Sequence, residues 1–517
     1  MNFFNEMRNE ALNNVQYNMS VTENGALGFA TTGKYILDMN FKVASMRKIS
    51  IEEIKNVFSL AYMEDPRLAI LWLFYVRDVR EGLGERRLFK CLLPEILKDI
   101  KEENSYKLID LVSEYGRFDD LYCVVEECPS HIDYIAKLFK DQLSNDIDNM
   151  EKGKSISLLA KWLKSEKASS KVSRDLAFKT MHMLGLTPRK YRKLLSKMRA
   201  YLNVVEVKMT SNNWGEIKYE HVPSKASLNY KNAFTKHDKE RYESFINKVN
   251  KGEAKINAST LYPHEIVAKY MDNCSWSCKV KSSIDNTLEA LWKNLPNTVD
   301  NDSRTLVVAD GSGSMTTYVG GSKVRALDVA NALAIYFAER AQGPYKDKYI
   351  TFSSSPKFVD FTKTNCKSLR DKISYALKHD EVANTNVEKV FQLILDTAIK
   401  NKCSQDEIPN NILILSDMEF DSCASSNSGY GINKSLFQTI SDKYEEAGYK
   451  LPRLVFWNLN SRTGTIPVIQ NDLGVALISG FSTNLVKMVL DGETDPYKCL
   501  VKILESDRYK SVSEALQ

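Results

Sequence analysis

Residues 305–315 read Thr-Leu-Val-Val-Ala-Asp-Gly-Ser-Gly-Ser-Met. A short apolar, β-branched run from Thr305 to Ala309 stops abruptly at Asp310-Gly-Ser312-Gly-Ser314, and a helix-like stretch follows from about Lys323 to Ala341. That order predicts a buried parallel strand, a polar loop and a crossover helix. Asp310, Ser312 and Ser314 alternate, so a loop that curls aims their oxygens at one point, and the intervening glycines permit the tight turn. One carboxylate with two hydroxyls is hard-oxygen chemistry, suited to Mg²⁺ or another divalent hard cation and unsuited to zinc or copper.

Such a loop needs further oxygens. Asn411-Ile-Leu-Ile-Leu-Ser416 is a second buried-strand run and ends in Asp417, while Asn384-Thr385-Asn386 precedes a helical stretch over 387–400. In open α/β sheets, ligands sit at the carboxyl ends of the strands, where these residues fall. Alone, Asp-Gly-Ser-Gly-Ser would also suit an ordinary Ser/Gly turn. Asp310, Ser312, Ser314, Thr385 and Asp417 together resemble, position by position, the metal-ion-dependent adhesion site of von Willebrand factor A domains. The resemblance implies a metal held by these five residues. A coordination position left open would take a carboxylate from a protein partner or another chain.

Five strand-like runs, at 305–309, 348–353, 411–415, 453–457 and 474–478, alternate with helical stretches. This predicts a parallel sheet covered by helices on both faces. A polar stretch at 296–304 without apolar periodicity reads as a linker, which places 305–517 in one domain. Upstream, residues 1–40 are polar and Asn-rich and read as a loop-like extension. Residues 41–295 read as helical. Leu68 to Val79 is apolar almost all round, and helical patterns at 88–100, 105–112 and 132–143 recur about every 20 residues. That spacing suggests stacked helix pairs of HEAT-like character, although no strict internal repeat is visible. The expected class is therefore α + α/β: a HEAT-like helical-repeat module, then a Rossmann-like, mostly parallel sheet domain.

A length of 517 residues suggests two to four domains, and 43% hydrophobic with 26% charged residues is ordinary for a globular protein. No run of about 18 apolar residues predicts a membrane span, and the first residues lack the pattern of a signal peptide. The nine cysteines are scattered. The closest pair, Cys274 and Cys278, lacks the spacing of a zinc knuckle, so reduced thiols in a cytoplasmic protein are expected.

Charge is uneven. Residues 161–255 hold 22 Lys and Arg against nine Asp and Glu, a local excess of 13 in a chain of net +5. Such asymmetry points to an anionic partner. Lys161, Lys164, Lys171, Arg189, Lys190, Arg192, Lys193, Lys197 and Arg199 are the candidate phosphate contacts. Tyr191, with Tyr201, Trp214, Tyr219 and Tyr230 nearby, offers a surface for stacking unpaired RNA bases. The competing reading is a solvated basic face whose aromatics point into the core.

Thr32-Gly-Lys34, Ser45-Met-Arg47, Phe74-Tyr-Val-Arg-Asp-Val-Arg-Glu-Gly-Leu-Gly-Glu-Arg-Arg-Leu-Phe89 and Gly116-Arg-Phe-Asp-Asp-Leu121 resemble landmarks of Ro ribonucleoprotein (TROVE) modules. They resemble more closely a related, uncharacterised phage, bacterial and plant family. Val205-Glu-Val-Lys-Met-Thr-Ser-Asn-Asn-Trp214 and Tyr262-Pro-His-Glu-Ile-Val267 strengthen the closer match. The resemblance implies a helical-repeat ring closed by a von Willebrand A domain and, less directly, binding of single-stranded or small structured RNA. Within Phe74–Phe89 the mixed charges favour an internal ion-pair network across the Gly82-Leu-Gly84 turn. Asp119-Asp120 reads as a helix-start device, and His264 as structural.

No nucleophile elbow, His-Glu-x-x-His or Walker loop is present, so no enzymatic activity is expected. Glu419 and Asp421 lie near the metal loop but lack an evident base and activated water, so supporting or surface roles suit them better. The sequence therefore points to a non-enzymatic RNA-binding protein. The alternative is a metal-dependent protein-interaction module, with a metal-dependent hydrolase a distant third.

Overall fold

The computed structural model describes residues 18–272, 279–299, 304–320, 324–352, 354–380, 386–421, 436–467, 475–483 and 495–517. The chain forms two compact units, and both are discontinuous. One takes residues 1–68 and 261–503, the other 69–260 and 504–517.

The first unit holds three sheets. The strands are β1 (Met19–Val21), β2 (Leu27–Phe29), β3 (Met271–Asp272), β4 (Lys279–Val280), β5 (Thr305–Asp310), β6 (Lys348–Phe352), β7 (Lys357–Asp360), β8 (Asn411–Ser416), β9 (Arg453–Asn458) and β10 (Val475–Ser479). Six of them make one sheet in the order β10-β9-β8-β5-β6-β7. Every neighbouring pair is parallel except β6 and β7. The class is thus helical with a mixed, mostly parallel sheet toward the C-terminus. Each of the five runs read from the sequence contributes a strand. The sixth, β7, is a short edge hairpin partner of β6; its pattern, Lys-Phe-Val-Asp, gives too little alternation to stand out.

The registers put Leu415 opposite both Ala309 and Trp457, so β5, β8 and β9 end nearly level. Their last residues, Asp310, Ser416 and Asn458, are polar, whereas the bodies of the strands are apolar and buried. This change is what turns a core sheet into a polar edge. The helix Ala326–Arg340 packs on β5, β6 and β8. It is buried from Ala326 through Ala338, and its many alanines suit so close an approach.

The unit does not begin at the 296–304 stretch. Residues 18–40, expected as loop, contain the β1–β2 hairpin and most of the wholly buried run Ile36–Phe41. Phe29 and Ile466 exchange two backbone hydrogen bonds of 2.8 Å. Asn458 Nδ2 donates to the Phe41 carbonyl at 2.8 Å, and Ala44 N donates to Ser479 Oγ at 2.9 Å. A Cβ on Gly28 would stand 2.6 Å from Thr465 Cγ2, so that close approach requires glycine. The N-terminal segment therefore supplies backbone partners to the loops that follow β9 and β10, a role its polar composition hid.

The second unit is helical among its described residues. Expected helices appear as Arg87–Asp99, Glu102–Tyr115 and Ile132–Glu151. The basic helix spans Pro188–Tyr201, with Thr187 capping it and Pro188 in its first turn, as its sequence reads. Residues 504–517, assigned by sequence to the sheet domain, complete this unit instead. Arg508 Nε donates to buried Asp78 Oδ2 at 2.7 Å, and the Tyr509 ring packs against Tyr75 and Tyr115.

Candidate metal centre at the carboxyl edge of the sheet

Asp310 closes β5 and is 1% exposed. Its Oδ1 accepts a 2.9 Å hydrogen bond from Ser312 N, and its Oδ2 accepts one of 2.5 Å from Ser416 Oγ. The carboxylate is thus clamped between its own loop and the end of the neighbouring strand. A short turn over Gly313–Thr316 brings Ser314 back, so that its Oγ lies 3.0 Å from Ser312 Oγ. Gly311 meets its surroundings closely: a Cβ there would stand 3.0 Å from Thr351 Oγ1 and 3.4 Å from Asp380 Oδ1.

Asp417 follows β8 and is fully buried. Its Oδ1 accepts from Glu419 N at 3.3 Å, but its Oδ2 has no hydrogen-bond partner among the described residues. Arg462 Nη2 stands 3.7 Å from that oxygen, within ion-pair range only. Met418, with φ of 64°, turns the chain through the left-handed region, which is costly for a side chain of this kind.

Burial and like charge dominate the electrostatics of these carboxylates. Burial pushes the Asp310 carboxyl above its usual range, with Asp421 adding to the rise, against hydrogen bonds from Ser416 and Ser312. Burial also raises Asp417, and Asp310 raises it further, while Arg462 and Ser314 oppose the shift. Asp380, which accepts from Asn331 Nδ2 at 2.7 Å, is pushed to about 6 by burial, with Asp328 and Asp310 contributing. Arg462 and the exposed Lys48 supply part of the counter-charge near Asp417.

Asp310, Ser312, Ser314 and Asp417 are therefore brought together at the strand ends. Thr385 lies outside the described residues. An orphaned buried carboxylate oxygen beside two hydroxyls and a second carboxylate fits a hard divalent cation. Among the described residues, no group of three or more His, Cys, Asp and Glu side chains is placed to hold a metal. The donor set here is of another kind, half hydroxyl.

Glu419 does not face this centre as a reagent. It is fully buried and accepts from the backbone of Glu23, Arg462 and Thr463 at 2.8–2.9 Å. It pins the tip of the β1–β2 hairpin to the loop after β9. Glu23, at that tip, pairs with Arg462. Sequence reasoning missed Ser416, Asp380, Glu23 and Arg462. A usable signal existed for Arg462: Asn458-Leu-Asn-Ser-Arg462 repeats the strand-then-polar-loop pattern of 305–314.

The basic segment divides. Tyr191 is 1% exposed, with its hydroxyl on the Lys164 carbonyl, so it cannot stack a base. Tyr219 is also buried. Arg199 donates to the Ala160 and Leu163 carbonyls and to Ser165 Oγ. Lys164 pairs with Asp119, Arg192 pairs with Glu166, and Lys161 lies over the Trp162 ring. Lys171, Arg189, Lys190, Lys193 and Lys197 are exposed. Tyr191 and Tyr219 serve the core, whereas Tyr201, Trp214 and Tyr230 stay partly exposed, and interior contacts took several of the cations.

Residues 304–513 match a family model described as a domain of unknown function, DUF7788, and residues 131–304 match another, DUF2828. Over 527 aligned residues the chain is 33% identical to the uncharacterized protein L728 of Acanthamoeba polyphaga mimivirus, covering 94% of this chain and 87% of that protein.

Proposed function

We propose that this chain, which belongs to one family with the mimivirus protein L728, is a non-enzymatic binding protein whose sheet unit is a von Willebrand A-like domain with a Mg²⁺ site. The observation that carries this reading is Asp417 Oδ2, buried without a hydrogen-bond partner among the described residues, beside the Asp310, Ser312 and Ser314 oxygens. Asp310, Asp417 and the two serines would hold the ion. A bound Mg²⁺ offers an open position to a carboxylate on a protein partner. The site fits recognition better than hydrolysis, because the nearby carboxylate of Glu419 is already committed to backbone amides.

The test is calorimetric titration with Mg²⁺, or Tb³⁺ luminescence, on the purified chain. Saturable binding lost in Asp310→Ala and weakened in Ser312→Ala supports the reading. Equal binding by all three proteins refutes it.

RNA binding by the second unit, with a HEAT-like, Ro-like architecture, is the other reading. It is favoured by the exposed Arg189, Lys190, Lys193 and Lys197, four cations along one helix. These can follow a phosphate backbone without base stacking. Their replacement by Gln should flatten the salt dependence of RNA affinity by a few units, at roughly −0.7 per single-strand contact. No RNA binding at low salt would remove this reading and leave the metal site.

No helix among the described residues is long and apolar enough to cross a membrane.

A further inference from the structure

The second unit holds a cluster of cations that its own carboxylates do not balance. Buried Asp119 and Asp120 sit at its base. Asp120 Oδ2 takes Arg77 Nη2 at 2.7 Å and Nε at 2.8 Å, and its Oδ1 takes Arg86 Nη2 at 3.2 Å with Lys90 Nζ at 3.7 Å. Asp119 Oδ2 takes Arg86 Nη2 at 3.1 Å and Lys164 Nζ at 3.2 Å, while Arg117 Nε lies 3.1 Å from its Oδ1. Five cations thus share two carboxylates.

Arg77 is buried and belongs to the core. The other four keep between 28% and 40% of their side-chain surface exposed. They come from three separate stretches of chain, around 86–90, 117 and 164, so the fold and not a local run of basic sequence gathers them. The two aspartates hold Arg86 by hydrogen bonds and Arg117 by an ion pair alone, and leave Arg86 Nη1 and the guanidinium nitrogens of Arg117 without a hydrogen bond among the described residues. The Arg117 guanidinium lies 3.9 Å from the Trp162 ring centre, which holds its plane. Lys161, over the same ring, adds a further positive charge. Burial and the neighbouring Arg86 both hold the Lys90 ammonium below its usual value, and they do the same to Arg117. Arg86 thus opposes the charge of both Lys90 and Arg117.

We infer that Arg86, Lys90, Arg117 and Lys164 form an oxyanion site whose ligand is a phosphate group. Two oriented guanidinium forks with two lysine ammoniums match a tetrahedral dianion, where a flat carboxylate would leave donors idle. The group is either free phosphate or a terminal phosphate on a nucleic acid. The site uses none of the exposed cations of Pro188–Tyr201 and does not depend on the RNA reading of that helix.

The test is isothermal titration of the full chain in low-salt chloride buffer. The probes are inorganic phosphate and one oligoribonucleotide with and without a 5′-phosphate. The variants are Arg117→Gln, Lys90→Gln and, as a control on the basic helix, Lys193→Gln. Lys90→Gln guards against misfolding, because Lys90 makes only a 3.7 Å ion pair. Saturable phosphate binding, weakened at least about tenfold by Arg117→Gln and about threefold by Lys90→Gln but unchanged in Lys193→Gln, supports the site. Preference for the 5′-phosphorylated strand, with the same variant pattern, assigns the phosphate to a nucleic-acid end. Phosphate binding without any oligonucleotide binding supports a free-phosphate site and refutes the RNA reading alone. Oligonucleotide binding indifferent to the 5′-phosphate and to both variants assigns that binding to another surface; no saturable phosphate binding by the unmutated chain, or phosphate binding unchanged in both Arg117→Gln and Lys90→Gln, overturns the inference.

Discussion

Asp417→Asn isolates the electrostatic strain of the candidate metal centre. The side chain is fully buried, its Oδ2 has no hydrogen-bond partner among the described residues, and burial and Asp310 both raise its pKa. In metal-free protein at neutral pH the ionised form therefore works against the fold. Each pKa unit of such a shift corresponds to ~1.4 kcal/mol. The amide keeps the shape and removes the charge, so metal-free Asp417→Asn should be more stable by about 1–3 kcal/mol. For a unit of this size, that is a rise of roughly 2–10 °C in the transition midpoint. Mg²⁺ should reverse the order. At a hundredfold excess over its Kd, the unmutated chain gains ~2.7 kcal/mol, and the variant gains little. Differential scanning calorimetry with EDTA, and again with a Mg²⁺ series, reads both effects. A metal-free variant that melts below the unmutated chain would refute the reasoning. So would a variant that keeps the full Mg²⁺ shift.

Glu419→Ala strands three backbone amides and should cost roughly 3–5 kcal/mol in urea unfolding; a loss under 1 kcal/mol would mean the hairpin tip and the loop after β9 are held otherwise. Gly82→Ala would place a Cβ 1.9 Å from the Tyr75 carbonyl oxygen, so about 3 kcal/mol or more should be lost, and an unchanged urea midpoint would contradict that turn. His131 is held below its usual 6.5 by burial, which outweighs the pull of Glu102. The native state then takes up a proton less readily than the unfolded chain, so stability is complete above pH 6.5 and falls as pH drops through the window below it, by up to ~1.4 kcal/mol per pH unit. His131→Gln should remove that component, seen as a smaller stability difference between pH 7.5 and pH 5; an unaltered difference would exclude His131 as its source.

The sheet and half of the candidate metal centre were legible because buried parallel strands leave continuous apolar runs that end sharply. Asp310 and Asp417 stand at such ends. Asp380 and Glu23 left no such mark. Asp380 reaches the centre from a segment far along the chain, and Glu23 arrives through backbone pairing that sequence periodicity does not encode. Within Phe74–Phe89, the mixed charges suggested an ion-pair network, and Arg77 and Arg86 do share Asp120. The basic helix misled at Tyr191 because its spacing fits a binding face and a buried face equally well. Only the neighbour whose carbonyl its hydroxyl meets decides between them.

The interleaving of the two units has a consequence for how the protein is made. Ala44 and Ser479 are joined by a hydrogen bond across 435 positions of chain. During synthesis, the first strands and helices leave the ribosome long before the loops they pair with exist. The helical unit in turn waits for residues 504–517, which are made long after residues 69–260. Closing such long loops costs only modest extra entropy, but it delays folding and leaves apolar surface uncovered meanwhile. Nascent chains paused before residue 460 should thus be recognised by chaperones, and gene fragments cut at 304 should yield two halves that each lack a needed piece.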